Sequence, residues 1–240
     1  LQARAETRKA LGDKRKPLPE AIQKQFPSCF VFSEEMGWLP EGWEIQPIES
    51  IVTQRNERLD ASELTRSMPY VPIDCISAKS LFLSSSNDGA DAQSSLIRFY
   101  EGDILFGAMR PYFHKVCIAP FDGTTRTTAF VLMPMKRDDF SFSVLLLHQE
   151  RTIEYATAHS TGTTIPYAKW AKSLSRMPIV CPTERLRCSF NDLLNDTLQK
   201  IPTKYFEIQT LTTLRDTLLP KLLSGQLRIP DALRKTENVD

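Results

Sequence analysis

From Leu186 to Leu222 the apolar residues recur in steps of three and four, through Phe190, Leu193, Leu194, Ile201, Tyr205, Ile208, Leu211, Leu214 and Leu218. A helix turns every 3.6 residues, so this spacing lays one apolar stripe along a single helical face. Run without a break from Glu184 to Ser224, these 41 residues would reach roughly 60 Å. A rod of that length cannot cover its stripe against one small domain. It calls for a second long helix beside it, touching Phe190, Leu194, Ile201, Ile208, Leu211, Leu218 and Leu222. Gly225 is placed to stop the helix, with Pro230 beyond it. Pro202 interrupts the pattern, because proline inside a helix loses a hydrogen bond and clashes with the preceding turn, at about 3 kcal/mol. Either the rod kinks there or two helices meet end to end; a stripe in phase on both sides favours the kink.

The rest of the chain reads differently. Residues 39–183 hold short β-like runs at Tyr70–Ile76, Asp103–Phe106, Lys115–Ala119, Ala129–Met133 and Met177–Cys181, parted by Asp88-Gly89, Glu101-Gly102 and Asp122-Gly123. Helical spacing falls at Ile48–Gln54 and Phe142–Ala158. This interleaving predicts an α+β fold: one mixed α/β domain over 39–183, then the long C-terminal helix over 184–225, pairing as an antiparallel coiled coil, and a tail over 226–240. Residues 1–38 carry Arg4, Arg8 and Lys9 on a short helix-compatible stretch before Gly12, Pro17 and Pro19. They read as the end of a preceding helical region and its linker. Trp38 and Trp43 read as core or linker packing.

A hydrophobic fraction of 41% allows a sizeable core, and 25% charged residues fit an ordinary globular surface. No apolar run nears the ~20 residues that span a bilayer, and no secretory leader is visible, so a cytoplasmic protein without membrane contact is expected. The five scattered cysteines read as reduced thiols, mostly in the core, with no zinc site. The net charge is only +1, yet residues 104–121 and 155–183 contain no Asp or Glu. The first run holds Arg110, His114 and Lys115; the second holds His159, Lys169, Lys172 and Arg176. Such a face suits a phosphate backbone. Chance is the plain alternative, since apolar strands are often short of acids.

Three stretches together resemble the specificity (S) subunits of type I restriction-modification systems. The first is Leu39-Pro40-Glu41-Gly42-Trp43, similar to the opening of a target recognition domain. The second is Gly102-Asp103-Ile104-Leu105-Phe106 with Arg110-Pro111-Tyr112, Lys115 and Thr127-Thr128-Ala129-Phe130. The third joins Gly162-Thr163-Thr164-Ile165-Pro166 to the closing helix, ending Leu214-Arg215-Asp216-Thr217-Leu218-Leu219-Pro220-Lys221-Leu222-Leu223-Ser224-Gly225. Their order and spacing, from Phe26 to Ile229, carry the resemblance. Two positions depart from it: Ala129 stands where an acidic residue is frequent, and Pro182-Thr183-Glu184 only loosely follows the usual proline-rich hinge.

The resemblance implies a non-catalytic C-terminal half, or single-domain form, of such a subunit. It would read one half of a split double-stranded DNA site and position an adenine methyltransferase (M) subunit. That partner would bind S-adenosylmethionine, this chain needing no cofactor, and a restriction/motor (R) subunit would join the full complex. Two copies pairing through the long helix would mimic a whole subunit.

Base reading needs side chains of fixed donor geometry, and phosphate holding needs positive charge, hydroxyls and backbone N–H groups. Arg110, Tyr112, His114 and Lys115 fit a DNA-facing loop between strands; the plain reading is a solvated hairpin end with Tyr112 and Phe113 in the core. Thr163, Thr164, Tyr167 and Lys169 surround Gly162, which could let backbone approach a phosphate, or merely form a turn. Arg126 and Thr127 follow the Asp122-Gly123 turn. The loop Ser84–Ser95 could enter a groove, but its Asp88 and Asp91 would repel phosphates.

Enzymatic readings find little support. An Asn/Asp-Pro-Pro-aromatic methyltransferase motif, a Gly-rich cofactor loop and an H-E-x-x-H pattern are all missing. Glu101 and Asp103 resemble nuclease carboxylates only superficially. Two alternatives remain: a protein-interaction module whose business is its helix, and the specificity portion of a fused restriction-methyltransferase enzyme.

Overall fold

A computed structural model describes residues 18–59, 68–89 and 96–227. The stretch around Arg4, Arg8 and Lys9, the second half of the Ser84–Ser95 loop, and most of the 226–240 tail lie outside them. The chain divides into two compact units, each assembled from separated segments. Unit one takes residues 1–54, 110–112 and 132–196; unit two takes 55–109, 113–131 and 197–240. The boundary expected at 183/184 thus lies within unit one.

Unit one opens with α1 (Glu20–Gln23), then a hairpin of β1 (Phe30–Ser33) and β2 (Gly37–Pro40) where a linker was expected. Trp38, expected in packing, is 62% exposed on that hairpin. Strand β3 (Glu44–Pro47) pairs antiparallel with the strand Pro178–Cys181. The helix expected over Ile48–Gln54 is a single 3-10 turn, Ile48–Ser50, followed by strand β4 (Val52–Arg55). The β-branched run Ile51-Val52-Thr53 favours extended backbone, and β4 finds a partner strand, which outweighs the helical spacing. The helical stretch expected at Phe142–Ala158 is two helices, α2 (Phe140–Leu147) and α3 (Glu150–Ala158).

Unit two holds a five-stranded sheet. Its strands are β5 (Arg58–Leu59), β6 (Pro69–Val71), β7 (Asn87–Asp88), β8 (Leu96–Phe99) and β11 (Gly123–Arg126), in the order β5-β8-β11-β6-β7. Only β11 with β6 runs parallel among the registered pairs. Beside it β9 (Ile104–Gly107) pairs antiparallel with β10 (Val116–Ile118) and neighbours β12 (Ala129–Pro134). All of β9 and β10 is buried, which is why these segments read as continuous apolar runs rather than alternating ones. The far end of β12 lies in unit one next to β4, where Met135 N–H donates to Ile51 O at 2.8 Å. The strand at Pro178–Cys181 is β13.

The C-terminal helical stretch is α4 (Glu184–Leu198) and α5 (Lys200–Leu223), separated at Gln199. Of the two outcomes expected at Pro202 this is the second, two helices meeting end to end: Pro202 has no N–H for the Leu198 carbonyl one turn back, and the ladder opens in that turn, at Gln199. Pro202 is the third residue of α5, where the first four N–H groups have no intrahelical acceptor and the missing donor costs nothing. Gly225 ends α5 as expected, with φ +73° and the Leu227 N–H donating to Lys221 O at 2.9 Å.

The stripe divides between the two helices. Leu186 and Leu198 are buried on α4, with Phe190 and Leu194 half-buried. Ile201, Pro202 and Tyr205 of α5 are buried, and Tyr205 joins unit two's core with Val71, Phe99, Leu105, Cys117 and Val131. Ile201 is thus already covered, unlike the other expected coiled-coil contacts of α5: Ile208 is 50% exposed, Leu211 65%, Leu218 39% and Leu222 36%. Among the described residues no helix is long and apolar enough to cross a membrane.

Candidate nucleic-acid interface

In unit one two loops are stitched together. The Arg110 N–H donates to Pro166 O at 2.8 Å, and Thr161 and Tyr167 exchange both backbone hydrogen bonds, at 2.9 and 2.8 Å. This closes a short loop that leaves Thr163, Thr164 and Ile165 exposed. Gly162 has φ +99°, and a Cβ there would lie 2.7 Å from Ile165 O. Both facts demand glycine. Gly162→Ala is expected to loosen the loop by about 1–3 kcal/mol, read as faster amide exchange at Tyr167 with distant amides unchanged. Below the loop Ala168 and Trp170 are buried, and Lys169 O accepts the Leu174 N–H at 3.0 Å. The backbone of Lys169 is therefore fixed while its side chain is in solvent.

Arg110 takes φ +50°, a conformation few non-glycine residues adopt. Its side chain is half-buried, and Nε is enclosed without a hydrogen-bond partner. Among the described residues neither Arg110 nor Lys169 forms an ion pair. Next along the chain, the turn Pro111–Phe113 leaves Tyr112 48% and Phe113 47% exposed, not in the core.

The remaining candidates belong to unit two. His114 is buried with φ +53°, and its carbonyl accepts the Lys79 N–H at 2.8 Å. Lys115 donates through Nζ to Ile73 O at 2.8 Å, with Asp74 3.9 Å away and its side chain only 18% exposed. One of its three donors is thus spent within the fold. Arg126 and Thr127 are exposed where β11 turns into β12. Burial raises the Tyr70 phenol above its ordinary pKa, against the opposing pull of the Arg126 guanidinium that hydrogen-bonds it. Thr128 O accepts the Ala108 and Met109 N–H groups at 2.8 and 3.2 Å, tying these two loops together.

One charged group here escaped sequence reading. Arg55 grips Asp103 through Nε and Nη2 at 2.8 and 3.2 Å, and the Tyr100 N–H donates to Asp103 Oδ2 at 2.9 Å. The Arg55 guanidinium stands 4.7 Å from the Tyr100 ring centre, and the Tyr100 hydroxyl donates to Glu57. Asp103 is thus one half of an ion pair, both its oxygens engaged. Arg55 and Asp103 lie 48 residues apart, and no local spacing could have joined them.

No family model matches the chain. The type I restriction enzyme MjaIX specificity subunit of Methanocaldococcus jannaschii is 25% identical over 214 residues, covering 84% of this chain and 48% of that protein. The chain spans about half the length of this curated relative. Among solved structures, one chain from a study of complex assembly and conformational transition of the type I R-M system matches with TM-score 0.54 and 19% identity, over 80% of this chain and 51% of that one. The HsdS subunit from Thermoanaerobacter tengcongensis matches with TM-score 0.51 and 21% identity, over 73% and 48% respectively. The chain is similar in sequence to a type I specificity subunit and shares the fold of these structures.

Proposed function

We propose that this chain is a DNA-recognition component of a type I restriction-modification system, reading one half of a bipartite double-stranded site. The observation that carries the reading is the stitched pair of loops in unit one. It holds Arg110 rigidly, presents Thr163, Thr164 and Lys169 to solvent, and lies in sequence runs free of acids. Arg110 supplies base-reading donors, while the threonines and Lys169 suit phosphate oxygens. Likeness to a protein named a specificity subunit supports the same role. In it the chain performs no chemistry. An adenine methyltransferase subunit carries S-adenosylmethionine and modifies the site, and a restriction subunit joins the larger complex. Two copies pair through the exposed face of α5, where Ile208, Leu211, Leu218 and Leu222 await a partner.

Selection from a random-sequence duplex pool, repeated across a salt series, tests this. The wild-type chain should enrich a short motif, and its affinity should fall steeply as salt rises. Arg110→Ala is expected to lose about 1–3 kcal/mol and relax one position of that motif. Absence of any enriched motif, or affinity indifferent to salt, would favour the protein-interaction alternative.

A further inference from the structure

Left-handed backbone outside the glycines falls on one kind of side chain. Among the described residues the non-glycine positions with positive φ are Lys79 (+54°), Arg110 (+50°), His114 (+53°) and Lys172 (+60°). L-residues avoid this region because Cβ crowds the following carbonyl oxygen, and glycine or asparagine usually stands there. A turn that served only to reverse the chain would be more stable with glycine. A long cation kept at such a position points to a use for the side chain itself.

In unit two the segment between β6 and β7 forms a lobe along β10. The antiparallel bridge of Ile76 with Leu83 closes its base, both side chains buried. A second bridge joins Ala78 to Lys115, the Lys79 N–H donates to His114 O at 2.8 Å, and the Ile118 N–H donates to Leu81 O at 3.0 Å. These bonds pin the backbone of Lys79 while its side chain is exposed. Lys115, by contrast, gives its amine to Ile73 O, 3.9 Å from Asp74, and is only 18% exposed. From 75 to 87 Lys79 is the one charged residue, and the segment packed against the lobe, 113–118, contains no acid. In unit one Lys172 is exposed on the turn 170–175, where Trp170 O accepts the Ser173 and Ser175 N–H groups at 3.3 and 2.9 Å. That turn lies within the acid-free run 155–183. With both backbones fixed, only the lysine stems are left to order on contact.

We propose that Lys79 and Lys172 are phosphate contacts of the duplex, one supplied by each unit. The inference rests on the function proposed above and adds to it two residues that hold the backbone rather than read bases. A lysine amine is a compact charge that reaches any phosphate oxygen, so its contribution is blind to sequence. The test measures duplex affinity across a salt series, together with melting temperature, for wild type, Lys79→Gly, Lys172→Gly and the matching Lys→Arg variants. Lys24→Ala, an exposed lysine paired with Glu20, is the control for loss of charge alone. Each glycine variant should melt at or above the wild-type temperature, because glycine takes positive φ freely. Each should bind about tenfold more weakly, equally for the enriched motif and for unrelated duplex. The slope of log affinity on log salt should fall by about 0.9, and arginine should keep the affinity. The lysines are judged separately. Wild-type affinity and slope in a glycine variant, a lower melting temperature, or a loss matched by Lys24→Ala overturns that contact and leaves DNA recognition standing. A loss confined to the enriched motif makes the residue a base reader and also overturns it. A wild-type chain whose duplex binding ignores salt overturns the proposed function and the contacts with it.

Discussion

Arg187→Ala is expected to destabilise the protein by about 3–5 kcal/mol, because it strands a buried carboxylate. Arg187 Nε meets Asp139 Oδ1 at 2.6 Å, with the two side chains 10% and 4% exposed. The guanidinium also donates to Pro182 O at 2.6 Å, fastening the start of α4 to the chain leaving β13. One turn on, Asn191 Oδ1 accepts both the backbone N–H and the hydroxyl of Ser141, at 3.1 and 2.9 Å. Helices α2 and α4 are therefore joined by a charged pair and an amide, both out of water. With Arg187 gone, Asp139 keeps its desolvation cost and loses its counter-charge. Urea unfolding followed by far-ultraviolet circular dichroism measures the loss as a lower midpoint. Asp139→Leu/Arg187→Met should recover most of it, since a well-packed apolar pair has no charge to desolvate. A double variant as unstable as the single one would show that packing by the arginine stem, not charge, holds this junction.

Tyr205→Ala is the second large effect, at about 3–5 kcal/mol, the range for truncating a buried aromatic. Tyr205 is 6% exposed and meets Phe121 edge-on at 5.4 Å. It is where α5 enters unit two's core, and Phe206 beside it remains 52% exposed. Truncation leaves a ring-sized void at the root of the helix. Amide exchange should quicken throughout α5 and in β9 and β10, while α2 and α3 stay protected. Phe206→Ala serves as the contrast, with a smaller expected cost of about 1 kcal/mol because about half of that side chain is already in water. Comparable losses in the two variants would mean that α5 is not anchored through Tyr205.

Local pattern reached some elements and not others. Runs of buried apolar residues announced β9, β10 and the first half of β12, since strands covered on both faces need no polar alternation. Gly225 announced the end of α5 because a left-handed residue there has few alternatives. The hairpin β1–β2 was illegible for the opposite reason: its aromatic outer face breaks the alternation by which a half-buried strand is recognised. The in-phase stripe favoured a kink at Pro202 over two helices, whereas the hydrogen bond that proline cannot make to Leu198 opens the ladder at Gln199, whose own backbone stays helical at φ −67° and ψ −13°. At the interface, sequence could nominate Arg110 and Lys115 alike, both basic and five residues apart. Only coordinates separate them, by giving Lys115 a carbonyl acceptor at 2.8 Å and leaving Arg110 Nε without any. Ion pairs such as Arg55 with Asp103 and Arg187 with Asp139 each span 48 residues, beyond any window of periodicity.

The way the two units share the polypeptide bears on how such genes can be shuffled. Unit one draws on three stretches, and unit two supplies what runs between them. A single recombination joint placed between residues 55 and 196 would therefore hand each unit a mixture of two parents. Inheritance of a whole parental unit requires exchange junctions outside that span, so viable chimaeras should place their crossovers before residue 55 or after residue 196 of this chain.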